Sequence, residues 1–185
     1  MSNHIDYEIN KELGECYLHM GDYDKAEEYY QKAAQSADDI AAPFLGLATI
    51  YVQRGDYDAA YAQYSKAAGI EKSDKALAGM GLVQMERKDY DAAYANFKQA
   101  LEINPENMVA MNCLVQIAHV QGRLSELVTV LENCLKIKES DAVNFTLAGC
   151  LVALGRKEEA KKYLQAIMAQ NPKHEAAQTL LANIA

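Results

Sequence analysis

Long apolar runs are missing from this chain of 185 residues. No stretch reaches the roughly 18 to 20 uninterrupted apolar residues that a membrane helix needs, and Asp6, Glu8, Lys11, Glu12 and Glu15 stand where a signal peptide would be apolar. A cytoplasmic protein is therefore expected. Proline is scarce, with three residues in all, and no low-complexity tract occurs; together with 50% apolar and 24% charged residues, this excludes disordered and collagen-like classes and fits one folded body. Paired cysteines are also lacking. Cys16, Cys113, Cys134 and Cys150 stand singly, with no CxxC pair and no histidine at ligand spacing, so reduced, packed thiols are expected rather than a zinc or redox site. Positive charge is short as well. The net charge is −8, and residues 1–73 hold 6 basic against 13 acidic side chains while the remainder holds 12 against 13. Such a surface repels phosphate backbones and anionic lipid, which makes nucleic acid and membrane surfaces poor candidates for partners.

What is present is a repeat. Gly21-Asp22-Tyr23-Asp24-Lys25-Ala26 returns as Gly55-Asp56-Tyr57-Asp58-Ala59-Ala60 and again as Lys88-Asp89-Tyr90-Asp91-Ala92-Ala93, at offsets of 34 and 33 residues. Gly122 and Gly155, each followed by an arginine, extend the series. On both sides of each loop the apolar residues recur at steps of three and four, as in Leu13, Tyr17, Ala26, Tyr30 and Ala33, which predicts helix, tight turn, helix. Helix-start chemistry is expected between units, at Asp38 and Asp39 before Pro43, at Ser73 and Asp74, at Asn104 and Pro105, at Ser140 and Asp141, and at Asn171 and Pro172. The spacing divides the chain into repeats at about 7–40, 41–73, 74–107, 108–140 and 141–174. A last amphipathic helix over 175–185, with Leu180, Leu181 and Ile184, would cap the final apolar face.

These residues resemble the tetratricopeptide repeat (TPR) family over about residues 7–174. The family's small residue and aromatic in the first helix, and its Ala, aromatic, Ala in the second, fall on Gly14, Tyr17, Ala26, Tyr30 and Ala33, then on Ala48, Tyr51, Ala60, Tyr64 and Ala67, then on Gly81, Ala93, Phe97 and Ala100 with Pro105. The fourth and fifth repeats depart, with Val115, Ala118, Leu127, Leu131 and Cys134, then Ala148, Leu151, Ala160, Leu164 and Ile167. The resemblance implies an all-α fold: a right-handed superhelical solenoid of about five helix-turn-helix repeats plus a C-terminal capping helix, forming a single domain. It further implies a concave wall built from the first helix of each repeat, on which an extended peptide or partner helix binds. The wall residues expected from this register are Leu45, Thr49, Val52, Leu82, Met85, Val109, Asn112, Gln116, His119, Phe145 and Val152. They are mostly apolar or neutral and suit the apolar face of an amphipathic helix or a hydrophobic segment.

One TPR subfamily grips acidic chaperone tails with two lysines, two asparagines and an arginine. Lys11 and Lys75 match the lysine positions, but Glu15 and Gly46 take the asparagine positions and Gly79 the arginine position; a glutamate facing a carboxylate repels it. Gly79 and Gly81 form a GxG inside a helix, with Gln84 where a third glycine would stand, which reads as packing. His19 and His119 lack an Asp, Cys or Ser partner at a useful spacing. Tyr29, Tyr61 and Tyr94 could form an outer contact face, and an outward Val130 would offer a surface for self-association.

No nucleophile and base, carboxylate pair or phosphate loop is found, so a non-catalytic module without cofactor or metal is expected. The reading is an adaptor or scaffold that binds a protein or peptide, with a basic end and a hydrophobic segment, without inserting into a membrane. A secretion- or assembly-type chaperone using the same groove, and a self-assembling homo-oligomeric scaffold, are the alternatives.

Overall fold

The computed structural model describes residues 2–184, and among these the regular elements are helices alone. In chain order they are α1 (Ser2–Met20), α2 (Tyr23–Ser36), α3 (Ala42–Gln53), α4 (Tyr57–Ile70), α5 (Asp74–Glu86), α6 (Tyr90–Ile103), α7 (Met108–Val120), α8 (Leu124–Ile137), α9 (Asp141–Ala153), α10 (Lys157–Gln170) and α11 (Glu175–Ile184). The chain is an all-α helical repeat solenoid. It forms two compact units, one reaching to Asn96 and one starting at Phe97.

Each hairpin turns on the same chemistry. Gly21, Gly55, Gly122 and Gly155 have φ between 69° and 77°, and Lys88 takes the matching place at φ 62°. A left-handed residue after a helix lets the next amide reach back to the helix's last free carbonyls. Asp22 N accordingly donates to Tyr17 O at 3.0 Å, and Asp56, Asp89, Arg123 and Arg156 make the equivalent bond to Tyr51, Gln84, Ala118 and Leu151. In the front unit the same residue then caps the second helix: the carboxylates of Asp22, Asp56 and Asp89 accept from Lys25 N, Ala59 N and Ala92 N. One residue closes one helix and opens the next.

Not every expected helix start lies where the sequence suggested. Ser73 caps α5 through Ala76 N, as expected. The N-cap of α3 is Ala41 rather than Asp38 or Asp39, because Pro43 already supplies a first-turn residue that needs no amide partner. Asn104 closes a local turn on Glu106 N, and Asn107 caps α7 through Ala110 N at 2.9 Å. Ser140 occupies the N-cap of α9 without a side-chain cap bond. In place of Asn171, His174 Nδ1 accepts from Ala177 N at the start of α11.

The front core is aromatic on glycine. A Cβ added to Gly14 or Gly46 would come within 2.9 Å or 2.4 Å of the Tyr30 ring, and one on Gly79 within 2.4 Å of Tyr64, so these rings use the space that only glycine leaves. Ala26, Ala33, Ala60 and Ala67 are wholly buried beside them. In the rear unit Leu127, Leu131, Leu147, Leu151, Leu164 and Ile167 are wholly buried, each fully buried aliphatic side chain stabilising by about 1.5–3 kcal/mol.

Three surface expectations are corrected here. Val130 is 7% exposed and Tyr94 2%, because both turn into the core of their units, so neither offers an outer contact. Cys134 and Cys150 are buried as expected, whereas Cys16 is exposed because it falls on the side of α1 turned away from α2. Ala177 and Ile184 are the buried residues of α11, with Leu180 and Leu181 half-buried.

Candidate binding surfaces

In the front unit the wall residues lie on α3 and α5. Leu45 and Val52 are half-buried and packed against the core residues Ala48, Ala60 and Tyr64, so part of their apolar surface is used in holding the hairpins. Thr49 is also half-buried, its hydroxyl donating to Leu45 O at 2.9 Å. Met85 is half-buried, and Leu82 is exposed.

Beside them an ion-pair network ties successive hairpins together. Arg54 contacts Glu27 and, at 2.6 Å, Asp24, while the Tyr51 hydroxyl donates to Glu27 at 2.7 Å. Burial works to raise the Glu27 carboxyl, but its bonds from Arg54, Tyr51 and Gln31 outweigh that and hold it below its ordinary value. Arg87 repeats the arrangement on Asp58 and lies over the Tyr61 ring. Burial pushes the Tyr30 phenol up to about 12, so it stays neutral and acts as a packing group.

In the rear unit α7 and α9 line a hollow of about 520 Å³. Met108, Asn112, Val115 and His119 reach it from α7, and Ala142, Phe145, Thr146, Gly149, Cys150 and Ala153 from α9, with Leu124 and His174 also lining it. Steps of three and four along each helix place these side chains on one face. Gly149 has nothing within 4 Å of where a Cβ would be, which keeps the wall open. The His174 ring tilts on Phe145 at 5.6 Å between centroids, and its Nδ1 is occupied as the acceptor that caps α11. Burial pushes the Cys150 thiol up to about 11, so at neutral pH it is a protonated apolar surface rather than a nucleophile.

The hollow brings together Asn112, His119 and Phe145 of the expected wall. Val109 and Gln116 are exposed on α7 outside it, and Val152 is half-buried on α9. Met108, Val115, Leu124, Thr146, Cys150 and His174 line it without having been assigned to the wall from the sequence. Met108 and Thr146 lie one residue from the expected wall residues Val109 and Phe145, and the register could have supplied them. His174 follows the last repeat and is brought in by the turn before α11. No charged side chain lines the hollow. Among the described residues no three His, Cys, Asp or Glu side chains gather as a metal-binding set, and no helix is long and apolar enough to cross a membrane.

Solved structures share this fold. The chain aligns along all of its length with 85% of pilF from Pseudomonas aeruginosa, at 18% identity and a TM-score of 0.69. It aligns over 63% of its length with 98% of the TPR domain of Arabidopsis OM64, at 24% identity and 0.61. Over 62% of its length it aligns with 97% of the second TPR domain of human RPAP3, which was solved in complex with the HSP70 peptide SGPTIEEVD, at 23% identity and 0.58. No curated protein matches the chain in sequence. The family model described as the cilia and flagella-associated protein 70 C-terminal domain matches residues 2–185, and with its hairpin period, glycine-packed tyrosines and helix-only architecture the chain belongs to that TPR family.

Proposed function

We propose that this protein is a non-catalytic interaction module that takes a partner peptide or helix on the faces of its first helices. The observation that carries the reading is the hollow between α7 and α9, about 520 Å³ in volume, apolar on most sides and without a charged side chain. A leucine-, methionine- or phenylalanine-sized side chain of a partner seated there would lose its contact with water, worth about 1.5–3 kcal/mol before ordering costs. Asn112 and Thr146 supply hydrogen-bonding groups at its edge, which fix orientation. The likeness to RPAP3, solved with an HSP70 peptide, supports a peptide as the kind of ligand. Glu15, Gly46 and Gly79 stand where the acidic-tail clamp needs its polar and basic groups, so a hydrophobic segment flanked by basic residues fits this chain better. A cytoplasmic adaptor or scaffold role goes with that reading.

The test is a peptide array probed with wild type and with Phe145→Glu, the variant's helicity and melting being checked beside it. A folded Phe145→Glu protein that loses the hydrophobic hits supports the reading. Equal binding by the two proteins removes the α7–α9 hollow from it.

A further inference from the structure

Asn144 stands eleven residues before the loop residue Gly155. Counted the same way from Gly21, Gly55, Lys88 and Gly122, the place falls on Asn10, Phe44, Leu77 and Met111: Asn10, on the first helix, is half-buried and donates to Asp6 O at 2.7 Å, and the other three are large apolar side chains, with Phe44 3% and Met111 0% exposed. Asn144 is just as buried, at 4% exposed. Its backbone amide continues the α9 ladder by donating to Ser140 O at 2.9 Å, but its carboxamide makes no hydrogen bond among the described residues. Its polar atoms are not sealed off, since Asn144 is not among the buried groups that lack a partner; the carboxamide meets solvent through a hollow, at a position where three of the other four repeats carry leucine, methionine or phenylalanine.

The carboxamide lines a hollow of about 410 Å³, separate from the α7–α9 hollow, with Leu135, Glu139, Lys162, Tyr163 and Ala166. It belongs to α8, α9 and α10. The Glu139 carboxylate accepts from Gln170 at 3.0 Å, and its charge stands against that of Lys162, so the rim favours neither an anion nor a cation. A carboxamide offers one acceptor and a pair of donors side by side, and the group that satisfies both is another amide.

We propose that this second hollow is a recognition site for an amide group of a partner polypeptide, with Asn144 pairing to it in the way it would otherwise pair with water. The amide can come from the partner's backbone or from an asparagine or glutamine side chain.

The test follows the Asn144 side-chain NH₂ and the Tyr163 ring by NMR while N-methylacetamide, which mimics the backbone, and propionamide, which mimics glutamine, are added to wild type and to Asn144→Leu, with acetate as the charged control. Saturable shifts with one or both amides, reduced about fivefold to tenfold in affinity for Asn144→Leu, are expected. The stronger of the two amides identifies the source. An acetate response equal to the amides', equal amide binding by Asn144→Leu, or no response in wild type overturns the proposal. Asn144→Leu is also expected to melt higher than wild type, as Leu77 and Met111 suggest; a lower melting temperature would mean that the carboxamide already has a structural partner, and would overturn it too.

Discussion

In the front unit Arg54 and Arg87, the last residues before their loops, reach the first turn of the preceding hairpin's second helix, 30 and 29 residues back in sequence. In the rear unit the arginines follow the loop glycine instead. Arg123 and Arg156 fork onto Glu126 and Glu159 within their own helices, at 2.7–3.0 Å. The same arginine-to-carboxylate chemistry joins neighbouring hairpins in one unit and fastens single helices in the other. The caps divide in the same way: Asp22 and Asp56 close the first turn of α2 and α4 with a carboxylate, whereas Arg123 and Arg156 provide no side-chain cap bond. So does the packing, tyrosine on glycine in front and leucine on leucine behind. The difference is one of emphasis, since Lys138 reaches Glu106 and Gln170 reaches Glu139 across a repeat in the rear unit as well: one repeat period can be held mainly by specific, directional contacts or mainly by diffuse aliphatic burial, and the first kind is more easily broken by single changes.

The largest effect is expected at Gly46→Ala, whose methyl group would stand 2.4 Å from the Tyr30 ring; overpacking of this kind costs about 1–3 kcal/mol, read as a lower urea midpoint. Next, Asp56→Ala removes the cap of α4 and is expected to lose about 1 kcal/mol, while Arg156→Ala at the matching place leaves the midpoint unchanged within error; equal losses would erase the distinction between the units. Lys88→Gly relieves the one left-handed loop residue that is not glycine and is expected to gain about 0.5–1 kcal/mol. Acid then tests the ion pairs. Glu27 is held below its ordinary value in the folded chain, so its contribution is present above about pH 4.5 and is lost as pH falls through the lower folded value. Arg54→Met is expected to flatten that acid dependence, followed by circular dichroism from pH 6 to pH 3. The smallest change is Gly149→Ala, where a Cβ meets nothing; a gain of about 0.5 kcal/mol from helix propensity is expected, in contrast to the loss at Gly46.

Much of the fold was legible because a 33- to 34-residue period leaves little freedom: loop glycines, small residues and large apolar residues recur at fixed distances, and each class can do one thing at its place. The helix starts were read less well. Asp38, Asn104 and Asn171 look like caps by type, but Ala41, Asn107 and His174 open the helices, since the path of the linker and not residue identity decides which side chain faces the free amides. Arg54's partners were beyond reach, for nothing in the sequence says that a side chain will reach back across a repeat. The α7–α9 hollow was read in part. Phe145, Asn112 and His119 follow from the first-helix register, whereas His174 comes from the segment after the last repeat. Asn144 was written into the register all along, a polar residue in a column that holds Phe44, Leu77 and Met111 in the three repeats before it and Asn10 in the first.

The Tyr30 ring is held by glycines of two successive hairpins, Gly14 on α1 and Gly46 on α3. A ring so enclosed cannot turn about its own axis until α1 and α3 draw apart from it. Its flip rate, visible in the splitting or merging of its aromatic proton signals, is therefore a clock for how often the first two repeats breathe, and it runs in the intact protein without denaturant or label.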